Sequence, residues 1–225
     1  RGLMIAAVLF IISAVGSAYP EMGFPHGAPH TFLTQFIIYR IIGGVGVGLA
    51  SMLSPMYIAE MAPASRRGGL VAWNQFAIIF GMLVVYFVNY FIALNGDEAW
   101  LTSTGWRLMF LSEVIPAALL FLLVLGVPES PRWLIMKGRE AKAVAILERI
   151  MGAPEAEVEA QSIRRSLHGT VKAKLFSYGV GVIVIGMLLS VFQQFIGINV
   201  VLYYAPEIFR NMGMGTNAAL AQTII

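Results

Sequence analysis

Gln193, Gln194 and Asn199 fall in a run, Gly179 to Ala205, that is otherwise almost wholly apolar. A carboxamide offers two donors and two acceptor lone pairs without charge, which suits a ligand covered in hydroxyl groups, each of them both donor and acceptor. Gly197 lies between the amides, where it can loosen a helix, free backbone groups beside a cavity and let Asn199 turn toward the face of the glutamines. Tyr203, one turn past Asn199, adds a wall and a hydroxyl. These residues point to a site that reads a sugar. The competing expectation is that the amides bridge packed helices with no ligand.

A second constellation is a pair of opposite charges inside apolar runs. Counted at 1.5 Å per residue from helix starts near Thr31 and Gly105, Arg40 lies about 13 Å deep and Glu113 about 12 Å. At similar depth and of opposite sign, each is a natural partner for the other, directly or through water or a third group. One reading is a static ion pair that holds two helices together. The other is a carboxylate that changes protonation as a hydrated cavity opens and closes, as part of a proton relay.

Those residues need elements to position them, and composition says what kind. Hydrophobic residues make up 58% of the chain and charged residues 12%, where a soluble domain carries roughly a quarter charged residues. Mean hydropathy is +0.78. The lipid bilayer is thus the expected surrounding, and an all-α membrane protein the expected class. Residues 3 to 19, 35 to 59, 70 to 94, 108 to 127 and 179 to 205 are each long and apolar enough, or nearly so, for the ~20-residue crossing of hydrocarbon. A sixth segment begins near Ala218. Residues 3 to 19 also resemble a signal peptide, with Arg1 before them and "GSA" at their end, but the longer runs that follow favour a span. Arg1 in place of methionine and an end inside an incipient span read as a fragment of a longer protein.

Net charge is +3, and its placement carries more than its size. With single crossings, one side collects Arg1, Arg66, Arg67 and the polar stretch from Pro128 to Tyr178, together twelve of the fifteen Lys and Arg residues. Arg107 and Arg210 sit at the edge of the other side, and Arg40 belongs to no loop. The positive-inside rule makes the basic side cytoplasmic, loops 60 to 69 and 128 to 178 included. Within that stretch, Val144, Ile146, Leu147 and Ile150 share a helical stripe, "GAPE" breaks it, and a second charged helix is expected to run to Leu167. A helical cap is expected here, with a flexible linker as the alternative.

Other chemistry finds little support. "GGVGVG" at Gly43 to Gly48 superficially matches a dinucleotide fingerprint but follows no strand. It reads better as helix packing, with Gly46, Ala50 and Ser54 recurring every four residues. Cysteine is absent, no His, Asp and Glu cluster has metal spacing, and no nucleophile lies in plausible reach of a base. An enzyme, a cofactor, a metal or a nucleic-acid partner is therefore not expected.

Three motifs bring a family with them. "YIAEMAPASRRG" (Tyr57 to Gly68), "PESPRWL" (Pro128 to Leu134) and "QQFIGINVVLYY" (Gln193 to Tyr204) resemble, in order and interval, motifs of the sugar porters of the major facilitator superfamily. The resemblance runs over essentially the whole chain. It implies a fragment of a twelve-helix fold covering helices three to seven and the start of eight. Residues 1–127 would be part of the N-terminal transmembrane half, 128–178 a cytoplasmic helical linker and 179–225 the start of the C-terminal half. It implies a multi-pass protein of the plasma or inner membrane, moving a monosaccharide, D-xylose or a related pentose or hexose, with a proton as co-substrate. Gln193, Gln194 and Asn199 would contact the sugar, Gln75 would face them, and Ile78 and Tyr203 would complete the wall. Arg40 and Glu113 would serve proton coupling with an aspartate on a first helix that precedes this chain. Glu60, Arg67, Glu129 and Arg132 would form a cytoplasmic charge network that latches the halves when the site opens outward. Met82 departs from the family's xylose pattern, which has glutamine there. An uncoupled facilitator and a transporter-like sugar receptor are the alternatives.

Overall fold

Alanine, glycine and serine crowd the first apolar segment, and their small size sets how closely its neighbours approach. The computed structural model describes residues 1–22, 31–63, 65–168 and 179–213, and every regular element among them is a helix. Helix α1 spans Gly2–Ala18, α2 Thr31–Met61, α3 Arg67–Ala93 and α4 Glu98–Leu125. Shorter helices follow as α5 (Pro131–Met136), α6 (Glu140–Met151), α7 (Ala153–His168), α8 (Val180–Phe195) and α9 (Ile198–Asn211). Helices α2, α3 and α4 are long and apolar enough to cross a membrane, while α1, with 17 residues, is shorter. The chain forms two compact units, Arg1–Ile163 and Arg164–Ile225.

In the first unit α1 packs against both α2 and α4, and α2 also meets α3. Ala6, Ala7, Ala14 and Ala18 of α1 are completely buried. Gly16 lies against the ring of Tyr39 so closely that a β-carbon would overlap it. A β-carbon on Gly46 of α2 would stand 3.2 Å from the ring of Phe10. Lipid tails are as apolar as leucine, so close van der Waals contact of this kind is what draws membrane helices together. The stripe of Gly46, Ala50 and Ser54 serves two neighbours rather than one. Gly46 rests on α1, and Ser54 donates through Oγ to Asn74 Oδ1 on α3 at 2.8 Å.

Two expectations need revision. The fourth span, expected from 108, begins at Glu98, because Asp97 Oδ1 accepts the Trp100 N–H at 2.8 Å and caps a helix there. Leu101–Gly105 then continues as a π turn, with the Trp106 N–H reaching back to the Leu101 carbonyl. Much of the stretch between the expected third and fourth spans is therefore helical. In the run 179 to 205, Gly197 does interrupt the helix as expected: at φ 76 it separates α8 from α9. In α6 the buried stripe is Ala143 and Leu147, while Ile150 is exposed. The expected break at "GAPE" does occur, at Gly152, between α6 and α7. The segment expected from Ala218 lies outside the described residues.

Pro116 explains an interruption inside α4. It has no N–H to give the Ser112 carbonyl, and its ring crowds that turn. The helix pauses at Glu113, whose own N–H goes to the Phe110 carbonyl at 3.2 Å.

The close seam between α1 and α2 yields a paired prediction. Gly16→Ala should lower stability by about 1–3 kcal/mol as Tyr39 is displaced. Gly44→Ala, with nothing within 4 Å of the new methyl group, should be neutral or slightly stabilising. Thermal unfolding of the two variants in detergent decides it, and equal midpoints would remove the seam from the account.

Candidate functional site

Arg40 projects from α2 and Glu113 from the pause in α4, and the two side chains meet, Nη1 to Oε2, at 4.0 Å. Their side chains are 49% and 45% exposed, so water or a third group has room beside either charge. Glu113 lies farther along its helix than a start near Gly105 implies, because α4 begins at Glu98. The packing of both helices on α1, not equal distance from their starts, brings the charges together. The guanidinium also lies 5.3 Å from the centre of the Phe110 ring.

On α3, Gln75, Ile78 and Met82 follow helical spacing along one face, the first two exposed and Met82 half-buried. Next to Gln75 in sequence, Asn74 accepts the Ser54 hydroxyl and so ties the rotation of α3 to α2. In the second unit, Gln193 stands exposed near the end of α8 and Tyr203 is exposed on α9. The backbones of Gln194 and Asn199 belong to these helices, but their side chains lie outside the described residues. Between them Gly197 adopts the left-handed conformation, and its carbonyl accepts the N–H groups of Val200 and Val201 at 3.0 and 3.2 Å. A helix end and a helix start thus meet in the middle of an apolar run. Each leaves peptide groups without intrahelical partners.

The residues expected as a charge network divide between two ion pairs and a cavity. Glu129 Oε1 is 3.7 Å from Arg1 Nε, and Arg67 Nη2 is 3.7 Å from Glu159 Oε1 on α7. Glu60 and Arg132 have no ion-pair partner among the described residues. They line a cavity of about 580 Å³ together with Arg1, Tyr57, Glu129 and Trp133. Tyr57 donates its hydroxyl to the Pro128 carbonyl at 2.8 Å, joining α2 to the segment before α5.

Several of these partners escape sequence reasoning. Glu159 stands in a helix with several other acids, and Phe110 is one ring among many in an apolar run. Arg107, at an edge by sequence, clasps the end of α1. Its Nη1 contacts Glu21 Oε1 at 2.7 Å and donates to the Ala18 carbonyl at 2.9 Å.

Residues 1–225 match the family described as "Sugar (and other) transporter". The chain is 59% identical over 233 residues to the D-xylose-proton symporter of Escherichia coli K12, covering 99% of this chain and 48% of that protein. It is 37% identical over 226 residues to the glucose facilitated diffusion protein of Zymomonas mobilis, covering 99% of this chain and 47% of the other. Among solved structures it is similar to the xylose transporter XylE from E. coli in a partially occluded inward open conformation. There the TM-score is 0.87 at 57% identity, over 99% of this chain and 50% of that one. The chain spans about half the length of the curated relatives it matches.

The left-handed break supplies a prediction of its own. Gly197→Ala places a β-carbon on a residue at φ 76 and should destabilise the second unit by about 1–2 kcal/mol. Hydrogen exchange at the N–H groups of Val200 and Val201 should rise with it. Unchanged exchange and unfolding would mean that the break needs no glycine.

Proposed function

The chain belongs to the sugar transporter family over its whole length, and from that membership we propose that it forms the central part of a proton-coupled monosaccharide transporter. The identity to the E. coli D-xylose-proton symporter carries this reading, with D-xylose as the first substrate to test and a related pentose or hexose next. In it, α1 to α4 are helices three to six of a twelve-helix transporter, and α8 with α9 is the broken seventh. Residues 1–127 and 179–225 belong to the two transmembrane halves, joined by a cytoplasmic segment at 128–178. The protein sits in the plasma or inner membrane with loops 60 to 69 and 128 to 178 inside. The basic residues of those loops support that orientation.

Transport by alternating access involves no covalent chemistry. A neutral sugar exchanges water for amide partners at Gln75, Gln193, Gln194 and Asn199, while Ile78 and Tyr203 close on its apolar faces. Rocking of the two halves then moves the access path across the membrane. Energy enters through Arg40 and Glu113. Protonation of the carboxylate weakens its hold on the guanidinium, and a state-dependent pair of this kind links proton binding to the orientation of the halves. Glu60, Arg67, Glu129 and Arg132 lie among cytoplasmic charges whose pairing differs between orientations.

An uncoupled facilitator is the second reading. The resemblance to a relative named for facilitated diffusion favours it. Met82, an apolar side chain on the face of Gln75, bears instead on which sugar is bound. Uptake of radiolabelled D-xylose by the full protein in vesicles, with D-glucose, D-galactose and L-arabinose as competitors and with or without a proton gradient, separates the two. Binding without uptake would make the protein a receptor.

Two variants sharpen the assignment. Gln194→Ala should weaken sugar binding by about 1–3 kcal/mol, and unchanged affinity would return the amides to helix packing. Glu113→Gln keeps the shape and removes the titratable group. It should preserve exchange at equal concentrations while abolishing accumulation against a gradient. A static ion pair predicts that exchange, accumulation and stability fall together.

A further inference from the structure

The Arg40 and Glu113 pair does not by itself fix its geometry. At 4.0 Å the carboxylate and the guanidinium are beyond the roughly 2.7–2.9 Å of a charge-assisted hydrogen bond, which leaves long side chains free to wander. A second contact supplies what the ion pair lacks. Phe36 and Arg40 stand one turn apart on α2, while Phe110 and Glu113 stand three residues apart on α4, so each pair shares one face of its helix. The faces meet as a ladder. Phe36 and Phe110 pack edge to face with centroids 5.5 Å apart at 72°, and the Arg40 guanidinium lies 5.3 Å from the Phe110 centroid while also facing Glu113. Trp106, one turn before Phe110, packs on the same ring at 6.2 Å and 81°. Helix α1, which packs on both α2 and α4, carries no ionisable side chain between Gly2 and Ala18.

We propose that Phe110 is the positioning residue for Arg40. Its ring holds the guanidinium in place whether or not Glu113 carries charge. The inference deepens the coupling reading above and rests on it for its functional consequence. The attraction between a cation and the negative face of a ring acts within about 6 Å and does not titrate. When the carboxylate takes up a proton, the ion pair is lost but the ring contact remains. Arg40 therefore stays poised to recapture the carboxylate rather than swinging to water or to a free carbonyl. Two edge-to-face contacts fix the ring itself, which is what a positioning role requires.

The test uses the full protein in proteoliposomes and two readouts. Modification of Arg40 by phenylglyoxal, followed by mass spectrometry of its peptide, reports how freely the guanidinium moves. In a Glu113→Gln background, Phe110→Leu should raise that rate roughly two- to fivefold, the factor a cation–π contact supports, and Phe110→Trp should restore it. Equal rates for Phe, Leu and Trp would overturn the proposal. With Glu113 intact, Phe110→Leu should cut proton-driven accumulation of radiolabelled D-xylose more than it cuts equilibrium exchange, while Phe110→Trp keeps both. Parallel loss of both with unchanged labelling would assign the ring to packing alone and overturn it as well. Phe110→Met, apolar and ringless, replaces the leucine variant if that one does not fold. A parent protein that never accumulates D-xylose would sink the coupling reading, and the labelling would still decide the positioning.

Discussion

A polar group carried into hydrocarbon has no solvent to fall back on, so it must arrive with its partner. That constraint arranges most of what is informative in this chain. The Ser54 hydroxyl finds Asn74 on the next helix. Arg107 spends its guanidinium on Glu21 and on the Ala18 carbonyl, where the last turn of α1 has no further N–H to offer. Arg40 divides itself between a carboxylate and a ring. Each of these contacts joins different helices or a helix to the segment beyond it. The few polar residues of the spans therefore also specify which helices are neighbours, and the small residues of α1 specify how near.

How much of this could be read in advance depended on the range of each signal. The spans expected over 35 to 59 and 70 to 94 match helices Thr31–Met61 and Arg67–Ala93 to within a few residues, because hydrophobic length is a local property. The start of α4 was hidden. Asp97, Glu98 and the threonines after them look like a loop until Asp97 is recognised as a cap and the π turn as a continuation. The pairing of Arg40 with Glu113 was legible because opposite charges in apolar runs have few places to go. The partners of Glu129 and Arg67 were not. Arg1 and Glu159 are distant in sequence, and a charged side chain in a polar segment has many equivalent candidates. Phe110 was invisible for the opposite reason, as an aromatic residue in an apolar helix carries no mark of its special neighbour.

The segment "PESPR" shows how a motif dissolves into separate duties. The Pro128 carbonyl accepts from Tyr57, and Glu129 pairs with Arg1. Ser130 caps α5 by accepting the Trp133 N–H at 3.3 Å, and Pro131 occupies the first turn, where a missing N–H costs nothing. Arg132 faces the cavity. A chain leaving an apolar helix must turn, stop and restart within a few residues. These five do so while fastening the turn to α2.

The π turn at Leu101–Gly105 bears on all of this through helical phase. A π hydrogen bond encloses one residue more than an α turn does. Each residue of an α-helix advances the side-chain direction by about 100°, so the extra one rotates everything downstream by roughly that angle relative to the residues before it. Trp106, Phe110 and Glu113 all lie downstream. The face they present to α2 is thus a matter of angular registration as well as of sequence. The turn at the start of α4 works as the fixed offset that aims this row of side chains, in the way a keyway sets the angle of a shaft.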